Sequence, residues 1–230
     1  MGLIVQDKAI VVPGEMLAEG MDYLPADNAF RENDKVISIR LGLVNIDGRA
    51  IKVIPLAGTY LPKVGDQVIC KVEDISYSGW RVSTNTAYTA MLSMKEASAR
   101  YIERGADLSR LFAIGDYVIA EIINVTSQNL IDISMKAPRL KKLTGGRILE
   151  ISPCKVPRLI GRKGSMVSMI KDATGCEIVV GQNGLVWIRG EPDSELIAVE
   201  TIEYVQQNAH KSGLTEQVEA FLKQKLGKSE

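Results

Sequence analysis

The chain reads as a multidomain protein of β and α+β class: a small N-terminal β unit, a five-stranded barrel and a C-terminal βααββα unit. Three observations carry that reading. Its 230 residues, 46% of them apolar, can bury a core, but at roughly 100 to 200 residues per domain they leave little room for a large catalytic domain. Short β-rich runs punctuated by glycine, proline and aspartate turns fill the chain up to Met135, whereas helical patterns follow only beyond Ser152. Basic residues concentrate in one short segment near that change.

In the N-terminal unit, residues 1–61, β-rich runs at 9–12, 36–40, 43–46 and 51–54 are separated by Pro13-Gly14, Asp47-Gly48 and Pro55. Asp47-Gly48 between two β-branched runs is the signal of a type I′ hairpin. A unit this small is expected to hold little core of its own and to pack on a neighbour.

Residues 62–137 form the second unit. Pro62-Lys63-Val64-Gly65-Asp66 opens it, with strand patterns at 67–75, 79–83 and 88–92. After a polar stretch over 95–110, Ala113-Ile114-Gly115-Asp116 introduces strands at 117–125 and 129–135. Five short strands in so few residues predict a small closed barrel. The repeated Gly-Asp turn before its first and fourth strands suits a tight bend that glycine relieves.

The third unit spans residues 145–210. A strand pattern covers 147–152, and Pro157 sits where a helix can start without losing a hydrogen bond. A second helix, with apolar Met166, Val167, Met169, Ile170 and Ala173, stops at Gly175. Strands at 176–180 and 185–189 are joined by Gly181-Gln182-Asn183-Gly184, and a helix from Asp193 aligns Ala198, Ile202 and Val205. Residues 211–230 are a short amphipathic tail carrying Val218, Phe221 and Leu222.

Lys plus Arg and Asp plus Glu both number 28, so the whole chain is neutral and does not look like a basic nucleic-acid binder. A partner, however, feels only charges within a Debye length of about 8 to 10 Å. Resolved by segment, residues 136–171 carry ten basic groups against Glu150 alone, a net +9, while every other segment is neutral to acidic. No apolar run exceeds four residues and no signal layout opens the chain, so a soluble, cytoplasmic protein is expected. Cys70, Cys154 and Cys176 are odd in number and far apart, which fits a reducing compartment and neither a disulfide framework nor a zinc site.

Inside the basic segment lies Gly161-Arg162-Lys163-Gly164, between two helices and flanked by Arg158 and Ser165. Two glycines at this spacing permit a sharp turn and a close approach of phosphates, since no Cβ intervenes. Free amides at the start of the next helix then face the anion, and Arg162 and Lys163 add charge. This is the chemistry of a nucleic-acid backbone clamp. In the barrel, Tyr77, Trp80, Arg81 and Tyr88 fall within twelve residues although aromatics make up only 5% of the chain. Rings beside a basic group can stack bases, but strand alternation does not fix which way each ring faces, so platform and barrel core both stay open.

With these motifs in view, the third unit resembles a type I KH domain, whose GXXG loop grips about four nucleotides. In that family the bases lie in an apolar groove, here including Leu159, Ile160, Val167 and Ile178. The second unit resembles an S1-type OB-fold RNA-binding domain through Val64-Gly65-Asp66, Gly79-Trp80-Arg81-Val82 and Ile131-Asp132-Ile133-Ser134. It departs from many S1 domains at Ala90-Met91-Leu92-Ser93, where a glycine and a histidine are common. The order of the three units, with Val11-Val12-Pro13-Gly14-Glu15-Met16-Leu17 near the start, resembles the RNA-binding cap subunit of the archaeal exosome. The resemblance implies three such subunits on a hexameric ring of RNase PH-like proteins, docked through the N-terminal unit with Pro13 and Gly14 among the contacts. Single-stranded RNA would pass their S1 domains on its way to 3′ to 5′ degradation.

No enzyme and no cofactor or metal are expected. The one histidine, His210, comes after the last helix of the third unit, and Gly227-Lys228-Ser229 has Leu222 where a phosphate-binding loop needs its first glycine. Two other readings use the same residues: a free-standing S1/KH regulator acting in translation or RNA metabolism, and a protein scaffold whose RNA folds no longer bind RNA.

Overall fold

The computed structural model describes residues 2–98, 102–103, 105–209, 211 and 213–227. His210, Lys228 and Ser229 lie outside the described residues. The chain divides into two compact units, Met1–Gly58 and Thr59–Glu230.

The first unit contains seven strands: β1 (Ile10–Val11), β2 (Met16–Glu19), β3 (Leu24–Pro25), β4 (Ala29–Glu32), β5 (Lys35–Ser38), β6 (Gly42–Asp47) and β7 (Ala50–Pro55). They form two sheets, ordered β1-β6-β7-β3 and β2-β5-β4. Val11, Leu17, Val36, Val44, Ile51 and Val53 are buried between them, so this unit, small as it is, has a core of its own. Strands β2, β3 and β4 have no counterpart in the sequence reading. Met-Leu-Ala-Glu, Leu-Pro and Ala-Phe-Arg-Glu contain no β-branched residue, and pairing rather than local preference makes them strands. The β6–β7 hairpin forms, but Asp47 pairs with Ala50, leaving Gly48-Arg49 as its loop. Only Gly48 of the two has positive φ, at 58°, which corrects the turn from type I′ to type II′.

In the second unit, β8 (Gln67–Ser76), β9 (Gly79–Ser83), β10 (Thr89–Ser93), β11 (Tyr117–Val125) and β12 (Ile131–Ser134) run in the order β12-β10-β9-β8-β11. Strand β12 also pairs with β11, which closes a five-stranded barrel. The two Gly-Asp turns do equivalent jobs at either side of one strand pair. Gly65 N–H donates to Ile122 O and Gly115 N–H to Val72 O, both at 2.8 Å, with φ of 89° and 92°. Beyond the barrel, β13 (Lys142–Leu143) pairs with β11, and Leu140 and Leu143 are buried against the barrel core. The stretch after the barrel is therefore part of its wall.

The chain continues as β14 (Arg147–Glu150), α1 (Val156–Ile160), α2 (Ser165–Thr174), β15 (Glu177–Val180), β16 (Leu185–Arg189), α3 (Pro192–Gln207) and α4 (Leu214–Leu226). The strands make an antiparallel sheet, β14-β16-β15. Gly175 ends α2 in the left-handed region at φ 67°, its N–H donating to Lys171 O at 2.8 Å. The tail does dock. Leu214, Val218 and Leu222 of α4 enter the same core as Ala198, Ile202 and Val205 of α3, and Phe221 stacks on Tyr204 with ring centroids 4.7 Å apart.

Strand β16 is buried on both faces. Val186 and Ile188 face the core beneath the helices, whereas Leu185 and Trp187 belong to the barrel cluster. Period-2 alternation thus gives one strand to two cores, which is why Leu185-Val186-Trp187-Ile188 is an unbroken apolar run.

Candidate nucleic-acid interface

The clamp is set by backbone geometry. Helix α1 carries exposed Arg158 and ends at Gly161, with φ 74° and ψ 179°. A Cβ there would fall 2.8 Å from both Cβ and N of Met166, so only glycine fits this turn. Arg162 and Lys163 stand exposed at the tip, Lys163 with a positive φ of 54°, and Gly164 follows at 83°. Helix α2 then starts at Ser165 with no side-chain cap and no acidic residue in its first turn. Ser165 N–H turns back to Arg162 O, and the positive dipole end of the helix, with no side chain of its own to offset it, faces the loop.

Ion pairing offsets part of the basic segment and spares this loop. Lys136 is bound to Glu96 (2.7 Å), Lys141 to Glu177, Lys142 to Asp116 and Arg147 to Glu195 (3.2 Å), all carboxylates from outside the segment. The hydrogen bond from Lys141 holds the Glu177 carboxyl below the usual carboxylate range, with Arg189 adding to it at 2.8 Å. Among the described residues no carboxylate pairs with Arg158, Arg162 or Lys163. Of the six cations that these four pairs leave, three therefore sit where the glycines let an anion approach. Of the four groove residues, Leu159 and Ile178 are sealed in the core, and Ile160 and Val167 are half-buried.

The barrel face corrects the sequence reading. Trp80 is fully buried, its ring edge-on to Phe112 at 5.1 Å and its Nε1–H donating to Phe112 O at 3.0 Å. It is barrel core and offers no face to a base, because in β9 its side chain points inward together with Val82. Tyr88 is half-buried against the same core. Arg81 does point out, but Asp74 across the strand pair binds it at 3.3 Å and offsets its charge. Tyr77, at the β8–β9 tip, is 84% exposed and is the ring of the set that remains free to stack.

In the N-terminal unit, Val12 to Glu15 make a turn in which exposed Pro13 and Gly14 are the central residues and Gly14 has φ 84°. Beside it, Ile10 opposes Leu43 and Leu43 opposes Ile54, a row across three paired strands with Ile10 65% and Ile54 48% exposed. That row was missed in the sequence, since alternation alone does not say which face a neighbour covers. Asn183 was also missed as anything more than a turn residue, although it is buried and bonded to the barrel. Among the described residues no cluster of metal-ligating side chains occurs, and no helix is long and apolar enough to cross a membrane.

Comparison with known proteins agrees with this layout. Residues 8–57 match the family model of the exosome RNA binding protein RRP4 N-terminal domain, residues 59–124 that of the RRP4 S1 domain, and residues 146–194 a KH domain. The exosome complex component Rrp4 of Methanothermus fervidus is 42% identical over 221 residues, covering 96% of this chain and 97% of that protein. That of Thermococcus kodakarensis is 41% identical over 228 residues, covering 97% and 88%. A crystal structure described as an exosome complex RNA-binding protein superposes with a TM-score of 0.67 at 32% identity, covering 75% of this chain and all of that one. With three domain matches in this order and relatives similar over nearly the full length, the chain belongs to the Rrp4 family of exosome components, with RNA-binding S1 and KH domains.

Proposed function

We propose that the chain is a non-catalytic cap of a hexameric RNase PH-like exosome ring, three copies per ring, that guides single-stranded RNA into the ring for 3′ to 5′ degradation in the cytoplasm. The observation that carries the RNA reading is the clamp: three cations, Arg158, Arg162 and Lys163, that pair with no carboxylate among the described residues, around a helix start without a side-chain cap and a glycine turn. The names of the relatives support the assembly, and the apolar row beside Pro13-Gly14, exposed Ile10 and Ile54 flanking half-buried Leu43, supports the N-terminal unit as the docking face. Two measurements test it. Replacing Arg162 and Lys163 together by Ala should flatten the slope of log affinity against log salt by roughly 1.4, at about 0.7 per phosphate contact on a single strand. An unchanged slope places the loop away from RNA. Mixed with RNase PH-like ring subunits and sized, the protein should co-elute with them, and failure to do so overturns the cap.

A further inference from the structure

Strand β8 is longer than its neighbour. Its pairing with β9 begins at Lys71↔Ser83, so Gln67 to Cys70 have no β9 residues beside them. The turn between β15 and β16 fills that open edge. Gln182 N–H donates to Gln67 O at 2.8 Å. Asn183, 2% exposed, accepts from Ile69 N–H at 3.2 Å through Oδ1 and donates through Nδ2 to Ile69 O and Thr84 O, both at 2.8 Å. A side-chain amide has the donor and acceptor of a peptide group, so Asn183 acts as the strand residue that β9 does not supply. Aspartate could not donate to the two carbonyls. The turn lies close against the strand: a Cβ on Gly181, two residues before Asn183, would lie 2.8 Å from Ile69 N.

We propose that Asn183 is a positioning residue that keys the KH domain onto the open edge of β8, so that clamp and barrel meet an RNA strand as one rigid surface. The functional half rests on the reading that both domains contact RNA. A rigid pair spares a strand that reaches both the cost of ordering one domain against the other.

The test uses the full chain and two readouts. In ¹⁵N relaxation, barrel and KH amides of the wild type should share one rotational correlation time, and Asn183→Ala and Asn183→Asp should split it. Oligouridylate of the roughly four-nucleotide length that a KH clamp takes should bind the variants unchanged. A strand several times longer should lose about tenfold, a small part of the roughly 10²- to 10⁴-fold that linked sites can provide. Independent tumbling in the wild type, or one correlation time and an unchanged long-to-short ratio in the variants, overturns the proposal. If the wild type binds neither oligonucleotide, the RNA reading fails while the relaxation comparison still decides the key. Should Asn183→Ala not fold, Gly181→Ala serves instead, since its Cβ would lie 2.4 Å from Asn183 Oδ1 and displace the turn.

Discussion

The clamp and the barrel face are two ways of building a nucleic-acid surface, and they differ in what holds them. The clamp is made of backbone: Gly161 and Gly164 shape it, α2 turns its dipole end toward it, and the cations at its tip reach solvent whatever the packing below. The barrel face is made of side chains on strands, where the choice between core and solvent turns on register, and one residue of slip reverses it. The β8–β9 pair contains such a shift, between Val72 and Asp74, and the one between Ile122 and Asn124 does the same for β11. Of the three rings clustered in the sequence, register and packing bury one, half-bury another and expose the third.

The largest effect is expected from truncating the buried ring. Trp80→Ala should cost about 3 to 5 kcal/mol of stability in chemical denaturation, and leave RNA affinity intact at temperatures below the melt. Lost affinity in a folded variant would put Trp80 back among the contacts. Next is the clamp itself: Gly161→Asp with Gly164→Asp should weaken single-strand binding by roughly a hundredfold, about 2.7 kcal/mol, in a fluorescence titration. Unchanged affinity would return the scaffold reading. Tyr77→Ala should lower affinity by about 1 to 3 kcal/mol with little change in salt dependence or melting, as expected of a stacked base. The smallest effect lies at the edge of the basic segment. Hydrogen bonds from Lys136 and the Ser134 hydroxyl lower the Glu96 pKa, so its stabilisation is complete above the usual carboxylate range and is lost as pH falls through the lowered value. For a half-exposed pair that is under about 1 kcal/mol. Denaturation across acidic pH should show the loss in the wild type and not in Glu96→Gln.

The fold was legible wherever local chemistry carries it. Gly175 stopped α2, Gly65 and Gly115 opened barrel strands, and Ala198, Ile202 and Val205 marked the inner face of α3. The clamp was legible for the same reason, since glycines and charges state their purpose without knowing the neighbours. What stayed hidden depends on long-range partners. The net charge of residues 136–171 could be counted, but not that Glu96, Asp116, Glu177 and Glu195 would bind four of its ten cations. Strands β2 to β4 lack β-branched residues and exist through pairing alone. Asn183 sits in a glycine-flanked turn that any hairpin could use, and its role appears only once Ile69 is beside it.

The open edge of β8 also bears on how the chain matures on the ribosome. Ile69 and Asn183 are 114 residues apart, and Leu185 and Trp187, which complete the barrel core, come later still. At a synthesis rate of about 5 to 20 residues per second, the nascent barrel stands unfinished for roughly 6 to 23 seconds after Ile69 is made. During that interval an unpaired strand edge lies next to uncovered apolar surface, the combination that invites wrong pairing between chains. The C-terminal third is thus also the late seal that makes the barrel safe to release.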